Sequence, residues 1–411
     1  MNMADKPSKP RVLIVGAGIG GLVLAQCLRK QNIPFEIFDR DDDPVARSSG
    51  WAIGLHTLLD ELASSIPDDL PPFEESVNHL TPLNLAVQMA VYVRVGRRVV
   101  QSTPESRIVR ANRLRLRKWL LNQIPIQWGK ELVKIEEDVD KVLVHFKDGS
   151  QATGDILVGA DGVHSTVREH VLRRPNKETL NAIPATMVIG ETTLSGEAFE
   201  RQLSLGHSCY VTGAADANYF LFVGLSQVSQ DGTTGQYYWF IIQKDDEAGE
   251  EGHWLLSASQ SEKLEYALKL TSSMDPKFTE VIKATPASGM RKHSLVLRDI
   301  EINELPVGRV TLLGDAAHSM TPFRGEGGVH AIRDALNLGK ALGQLTSNKS
   351  SEIESLLDPY QKEMLERGVT AVRKSRNAQN ANSGGDGKMV LWGRAPVEAP
   401  EENISLKDCL T

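Results

Sequence analysis

One stretch constrains the fold of this chain more than any other. Arg11-Val-Leu-Ile-Val-Gly16-Ala-Gly18-Ile-Gly20-Gly21 is an apolar run feeding G-x-G-x-x-G at positions 16, 18 and 21, after which Leu22, Ala25 and Leu28 recur at helical spacing. Four apolar residues without alternation suit a strand covered on both faces, as in a parallel α/β sheet. Gly16 permits the tight turn, Gly18 lets backbone approach a pyrophosphate, and Gly21 lets helix and strand pack closely. The phosphates would lie on the helix N-terminus, where free N–H groups and the macrodipole favour an anion. A second strand, Phe35-Glu-Ile-Phe38, ends at Asp39, placed to accept hydrogen bonds from ribose hydroxyls. Arg40 beside it is read either as a phosphate partner or as a solvated charge. The stretch predicts a dinucleotide-binding βαβ unit.

Two later stretches, Ile156–Val158 and Val310–Leu313, repeat the same grammar of apolar strand and glycine turn. All three are expected side by side in one parallel sheet. Between them, roughly over 180–290, segments such as Asn218-Tyr-Phe-Leu-Phe-Val-Gly224 and Gln236-Tyr-Tyr-Trp-Phe-Ile-Ile242 read as strands of a mostly antiparallel sheet. Ala86–Val95 is a candidate further strand of that sheet, although it comes earlier in the chain. The fold class expected is therefore α/β: a Rossmann-like domain with a parallel sheet, an inserted mostly antiparallel sheet domain, and C-terminal helices. The expected boundaries are 10–80, 100–178 and 290–345 for the dinucleotide domain, and 81–99 with 179–289 for the inserted one. A helical segment over 346–382 and a weakly ordered tail over 383–411 complete the chain, with Met389-Val-Leu-Trp392 apolar enough to dock on the surface.

A chain of 411 residues with 41% hydrophobic content can bury a large core. A net charge of -7 gives no field that would recruit nucleic acid or an anionic membrane, so a small-molecule partner is favoured. No apolar stretch approaches the roughly 20 residues that span a bilayer, and the polar start lacks a signal-peptide core. Cys27, Cys209 and Cys409 are few, far apart and without metal-ligand spacing, which fits free thiols in the cytoplasm, with no disulfide and no metal.

The first motif alone does not separate FAD from NAD. Asp155-Ile-Leu-Val-Gly159-Ala-Asp161-Gly162-Val-His-Ser165-Thr-Val-Arg168 and Val310-Thr-Leu-Leu-Gly314-Asp315-Ala-Ala-His318, continuing into Met320-Thr-Pro-Phe-Arg-Gly-Glu-Gly327-Gly328, supply more. In this order after G-x-G-x-x-G they resemble the class A flavoprotein monooxygenases, the family of para-hydroxybenzoate and salicylate hydroxylases. The wording of Met320–Gly328 and of Gly50-Trp-Ala-Ile-Gly-Leu-His56 is similar to fungal members acting in secondary metabolism. The resemblance spans about residues 10–345.

The resemblance implies FAD as the bound cofactor and NAD(P)H as a transient reductant, since only one dinucleotide motif is visible. It places Asp315 on the ribityl chain. The helix starting near Gly327 and Gly328 is aimed at the flavin N1–C2=O edge, and Asp161 and Arg168 lie behind the pyrophosphate. Gly50 and its neighbours lie against the ring, with Trp51 either capping the pocket or in the core. Arg113 matches the family's helix-borne arginine, while Arg107, Arg110, Arg115, Arg117 and Lys118 are read as a solvated basic face. The family's asparagine after G-x-G is replaced by Val329, so a side-chain hydrogen bond is in question there. His318 is assigned no chemistry, and Asp334 is read as helix support.

The implied reaction uses NAD(P)H and O2, through a flavin C4a-hydroperoxide, to hydroxylate or epoxidise an aromatic, indole or polyketide-like molecule. Tyr219, Phe222, Tyr237 and Trp239 are candidate substrate-lining residues, with core packing as the alternative for each. No catalytic base is assigned. Baeyer–Villiger oxygenation and an FAD-dependent reductase of the same fold are the rival activities, and an FAD-binding protein without catalysis is the rival from another class.

Overall fold

The computed structural model describes residues 9–44, 50–93, 96–213, 219–381 and 392–410. The three apolar runs do lie side by side. A five-stranded parallel sheet has the order Val310–Leu312, Ile156–Gly159, Val12–Val15, Phe35–Phe38, Ile126–Gln127. Val12 faces Ile156 on one side and Phe35 on the other. The first strand is buried along its whole length, which is why its sequence shows no polar alternation.

Helix Ile19–Lys30 covers one face of that sheet and packs along helix Gly327–Leu342. Their contact is close because Gly339 meets the Cys27 side chain: a Cβ there would lie 2.8 Å from Cys27 Cβ. The third layer comes from the long helix Ser350–Ala381, whose Tyr360 hydroxyl donates to the Leu312 carbonyl at 2.9 Å.

The second sheet has seven strands, in the order Ala185–Ser195, Thr234–Lys244, Tyr219–Val228, Cys209–Gly213, Gln88–Val93, Gly96–Gln101, Val397–Glu398. Neighbours run antiparallel except Cys209–Gly213 and Gln88–Val93, which are parallel. The early segment expected to join this sheet, Ala86–Val95, supplies Gln88–Val93, and a second strand, Gly96–Gln101, follows it. One face packs on helices Gly196–Leu205, Gln260–Leu270 and Pro276–Lys283; the other faces the dinucleotide domain.

The stretch expected as a weakly ordered tail behaves differently over 392–410. Val397–Glu398 pairs with Gly96–Gln101, and the Glu402 carboxylate accepts from Gln88 Nε2 at 2.8 Å and Arg97 Nη2 at 2.9 Å while facing His207 Nε2 at 2.7 Å. The polar composition that suggested disorder is here spent on pairing with a buried arginine. Trp392 rests on Gly54, where a Cβ would come within 2.5 Å of its indole nitrogen; residues 389–391 of the same apolar patch lie outside those described.

Among the described residues no helix is long and apolar enough to cross a membrane. All three cysteines are free and buried. Burial pushes the Cys27 thiol up to about 12 and the Cys209 thiol up to about 11. Thiolate is the reactive form, so a colorimetric thiol count at pH 8 should leave both unmodified until denaturant is added; labelling in the native state would contradict this burial.

Candidate active site

The turn after the first strand opens a cleft of about 330 Å3, lined by Gly16, Gly18, Asp39, Arg40, Arg113, Arg117, Asp161 and Gly162. Each motif glycine has a distinct environment. Gly16 has φ +109°, and a Cβ on it would lie 2.2 Å from the Ala160 carbonyl oxygen. A Cβ on Gly21 would lie 2.1 Å from the Gly16 carbonyl oxygen, whereas one on Gly18 meets nothing within 4 Å. Gly18 therefore leaves open space at the N-terminus of helix Ile19–Lys30, where the helix presents unsatisfied N–H groups. Asp39 is fixed by the turn it serves: Oδ2 accepts from Ala17 N–H at 2.7 Å and Oδ1 from Asp41 N–H at 2.9 Å. Arg40 is exposed at the rim.

Asn112 caps helix Arg113–Leu120 by accepting from Arg115 N–H, and strand Ala52–Leu55 pairs with Val109–Asn112 just before it. That pairing delivers Arg113 beside Gly50, whose own φ is +86°; a Cβ there would lie 3.3 Å from Arg113 Nη1. Arg113 makes no hydrogen bond or ion pair through its side chain with any described residue, and its Nε is buried without a partner. Burial pulls its pKa below the usual arginine range, opposed by the charge of Asp315.

The basic run around it is not a uniformly solvated face. Arg107 pairs with Glu74 at the surface and Lys118 is exposed, but Arg110 and Arg117 are buried. Arg117 Nε donates to the Ala17 carbonyl at 3.2 Å and so braces the glycine turn. Arg110 donates to the Leu225 carbonyl and, through Nη2 at 2.8 Å, to the Tyr238 hydroxyl. Its strand partner is Gly54, which puts Arg110 on the side of that strand facing the seven-stranded sheet. Arg117 had a visible signal, one helical turn beyond Arg113; Arg110 had none.

Asp161 lines the same cleft as the glycine turn, whereas Arg168 does not. The Asp161 carboxylate accepts from Thr166 N–H at 2.8 Å and Val167 N–H at 3.2 Å, so it caps helix Thr166–Leu172 while lining the cleft. Arg168 is fully buried and donates to the Ala316 carbonyl at 2.9 Å, holding the third motif. Asp315 itself is exposed, and its carboxylate makes no hydrogen bond or ion pair with any described residue. Gly327 begins helix Gly327–Leu342, and a Cβ on it would lie 3.9 Å from Asp315 Oδ1; Gly328 packs under Ile53. Val329 is partly buried on the main core and borders a second cleft of about 540 Å3, so no side-chain hydrogen bond forms there.

Strand parity decides the substrate-lining candidates. Tyr219, Tyr237 and Trp239 point to the helix-covered face and belong to its core; only Phe222 of the expected four faces the dinucleotide domain. Trp239 is fully buried, with its indole N–H on Thr285 Oγ1 at 2.9 Å. Trp239→Ala should accordingly lower stability by about 3–5 kcal/mol in denaturant unfolding; a smaller loss, with turnover affected instead, would place Trp239 in the substrate site after all. The opposite parity supplies Tyr238, Phe240 and Phe220. Trp51 stacks on Tyr238 at 4.5 Å and 7°, Tyr238 lies 5.6 Å from Phe222, Phe222 stacks on Phe240 at 4.7 Å, and Phe220 reaches Phe323 at 6.0 Å. An aromatic wall thus joins the Gly50–Trp51 loop to the Pro322–Arg324 turn.

These residues fit FAD on two independent features: an orphaned arginine lies within electrostatic reach of an exposed carboxylate that has no partner among the described residues, and the glycine turn leaves room for a phosphate at a helix N-terminus. The family model described as FAD binding domain matches residues 9–375. The FAD-dependent monooxygenase thnD of Trichoderma harzianum is 47% identical, over 89% of this chain and 92% of that protein. The FAD-dependent monooxygenase cctM of Talaromyces islandicus is 30% identical, over 89% and 91%. Among solved structures, Klebsiella pneumoniae HpxO complexed with FAD and uric acid aligns over 92% of this chain and 89% of that one, with TM-score 0.71 at 23% identity. The 2,6-dihydroxypyridine-3-hydroxylase of Arthrobacter nicotinovorans aligns with TM-score 0.71 at 17% identity, over 93% and 95%. At those identities the structural likeness speaks for the fold.

Proposed function

The chain belongs to the FAD-binding-domain family and is an FAD-dependent monooxygenase, and from that premise we propose that it oxygenates a planar aromatic molecule bearing an ionisable oxygen. When bound, FAD supplies the redox chemistry, taking two electrons from NAD(P)H and using O2 to deliver one oxygen atom to the substrate. The chain's residues bind, orient and exclude water. Gly16, Gly18 and Gly21 admit the pyrophosphate, Asp39 takes a ribose hydroxyl, Arg113 and Arg117 balance phosphate charge, and Asp315 accepts from the ribityl chain. The N-terminus of Gly327–Leu342 favours negative charge at the ring edge.

The observation that carries the substrate class is the aromatic wall and its one polar spot. Trp51, Phe222, Phe240 and Phe220 offer flat apolar surface, and the Tyr238 hydroxyl stands among them with its oxygen held by Arg110. Because that oxygen accepts from the guanidinium, the phenolic proton is left to be donated. Arg110 at the same place draws electron density from a bound oxygen and eases removal of its proton. A flat phenol or enol fits both features, whereas an aliphatic anion meets the donors but not the flat apolar surface.

The test is oxygen uptake and NAD(P)H oxidation across a panel of phenols, indoles and aromatic polyketides, with product mass. Phenolic substrates should stimulate both and gain one oxygen. Phe222→Ala should raise KM by about tenfold, since an aromatic contact and its buried area contribute on the order of 1.5 kcal/mol. Ring expansion of a ketone would select Baeyer–Villiger oxygenation, and nicotinamide consumption without O2 would select a reductase; either result would overturn the hydroxylation reading.

A further inference from the structure

His318 and Asp334 entered the sequence reading as packing and helix support. Their surroundings say more. Asp334 is fully buried in the second turn of helix Gly327–Leu342. Its Oδ2 accepts from Gly314 N–H at 2.7 Å and faces His318 Nε2 at 2.6 Å, while Oδ1 accepts from Arg367 Nη2 at 2.5 Å. Arg367, on the long helix Ser350–Ala381, also donates to Glu363 at 2.7 Å and contacts His330 Nδ1 at 2.9 Å. Gly368 lets that helix close down: a Cβ there would lie 2.6 Å from His318 Cδ2.

All of these contacts converge on one turn. Gly314 has φ +59° and ψ -139°, a conformation open to glycine and strained for other residues, and it is held there by Asp334 on its amide. The next residue is Asp315, the exposed carboxylate with no partner among the described residues. Arg168 holds the Ala316 carbonyl from the opposite side. The facing charges are thus His330 and Asp334 from one helix, Glu363 and Arg367 from another, Arg168 from a third, and His318 and Asp315 from the turn itself. Burial opposes charge on His318, and the adjacent carboxylate outweighs it, raising the pKa; Asp334 is held low by His318 and Arg367 despite its burial.

A buried ion cluster is a poor way to gain stability, because desolvation offsets most of its attraction. What it does well is to admit one arrangement only. We infer that His318, Asp334 and Arg367 form a positioning clamp that fixes the Gly314–Asp315 turn and thereby sets how tightly and in what pose the flavin's ribityl chain is held. The inference rests on Asp315 meeting the cofactor, as proposed above, and is independent of substrate and reductant. It also gives the C-terminal helix a part in cofactor binding, through Arg367, although that helix lies outside the glycine motifs.

The experiment titrates FAD into the full-length apoprotein and records dissociation constants and the circular dichroism of the bound flavin. Asp334→Asn keeps an acceptor for Gly314 but ends the ionic pairing, and should weaken FAD at least tenfold and alter the flavin signal. Arg367→Met should do the same, and Arg367→Lys should recover most of the loss. Val281→Ala, in the fully buried core of the other sheet, serves as the control that lowers stability without touching the clamp, and should bind FAD as the parent does. Unchanged binding in Asp334→Asn, or equal weakening in Val281→Ala, overturns the clamp. Asp315→Ala separates the two readings: if it binds FAD normally, the cofactor assignment of Asp315 is what fails.

Discussion

Gly16→Ala is expected to cost the protein its fold, and Gly18→Ala only its cofactor. Two residues apart in one motif, these glycines answer to different constraints. At 16 the backbone sits at φ +109°, and the added carbon would lie 2.2 Å from the Ala160 carbonyl oxygen. That oxygen follows directly on the strand Ile156–Gly159, which is locked between two neighbours and cannot retreat. Positive-φ strain and the clash together should lower stability by about 3 kcal/mol or more. At 18 the backbone is extended, φ -74°, and the surrounding space is empty. Alanine there leaves the apoprotein's urea unfolding curve in place. With the pyrophosphate at this helix N-terminus, as proposed, the methyl would crowd its approach, and FAD affinity should fall at least tenfold. Flavin absorbance per protein after gel filtration, read beside apoprotein unfolding, separates the two effects. A Gly18→Ala protein that keeps its flavin would mean that the phosphate lies elsewhere in the cleft.

That contrast also explains which parts of the molecule were legible beforehand. Val12–Val15, Ile156–Val158 and Val310–Leu313 announced a parallel sheet because a strand buried on both faces has no reason to alternate, and the glycines after them mark turns that few other residues can make. Tyr237, Tyr238, Trp239 and Phe240 are different. All four are aromatic, so the sequence carries the strand but not its parity, and shifting the reading by one residue exchanges the core face for the site face. Only the packing of Trp239 under Gly190 and of Tyr238 on Trp51 settles it. Arg110 was hidden by its charged neighbours, and Arg117, although one helical turn from Arg113, was read with them: a run of cations looks solvated until tertiary contacts bury some of them. The Asp334 cluster was hidden by distance along the chain, since His318, Asp334 and Arg367 sit on three elements with no common period. The tail at 392–410 misled through composition, because charges that solvate a free segment also pair with Arg97 and His207.

Exchanging Arg113 for methionine should move two measurements in opposite directions. In the apoprotein this arginine is a half-buried cation with its Nε shut off from solvent and without a hydrogen-bond acceptor. Burial already pulls its pKa downward, the mark of a charge that its surroundings do not compensate. Removing an unsatisfied buried donor relieves its desolvation penalty, so Arg113→Met should stabilise the apoprotein by on the order of 1 kcal/mol. In the holoprotein the same guanidinium would face an anionic phosphate or the ribityl oxygens beside Asp315, and a charge-assisted hydrogen bond of that kind contributes about 1.5–3 kcal/mol. Its loss should weaken FAD by about ten- to hundredfold. Asp315→Asn should weaken FAD as well but without the gain in apoprotein stability, because the Asp315 carboxylate is exposed and already solvated. The sign difference is the diagnostic. A binding residue holds its charge in readiness at the expense of the empty fold, whereas a structural residue supports the empty fold directly. Were Arg113→Met to destabilise the apoprotein while leaving FAD affinity untouched, the arginine would be part of the scaffold, and the charge that meets the cofactor would have to be sought at Arg117, one helical turn further on.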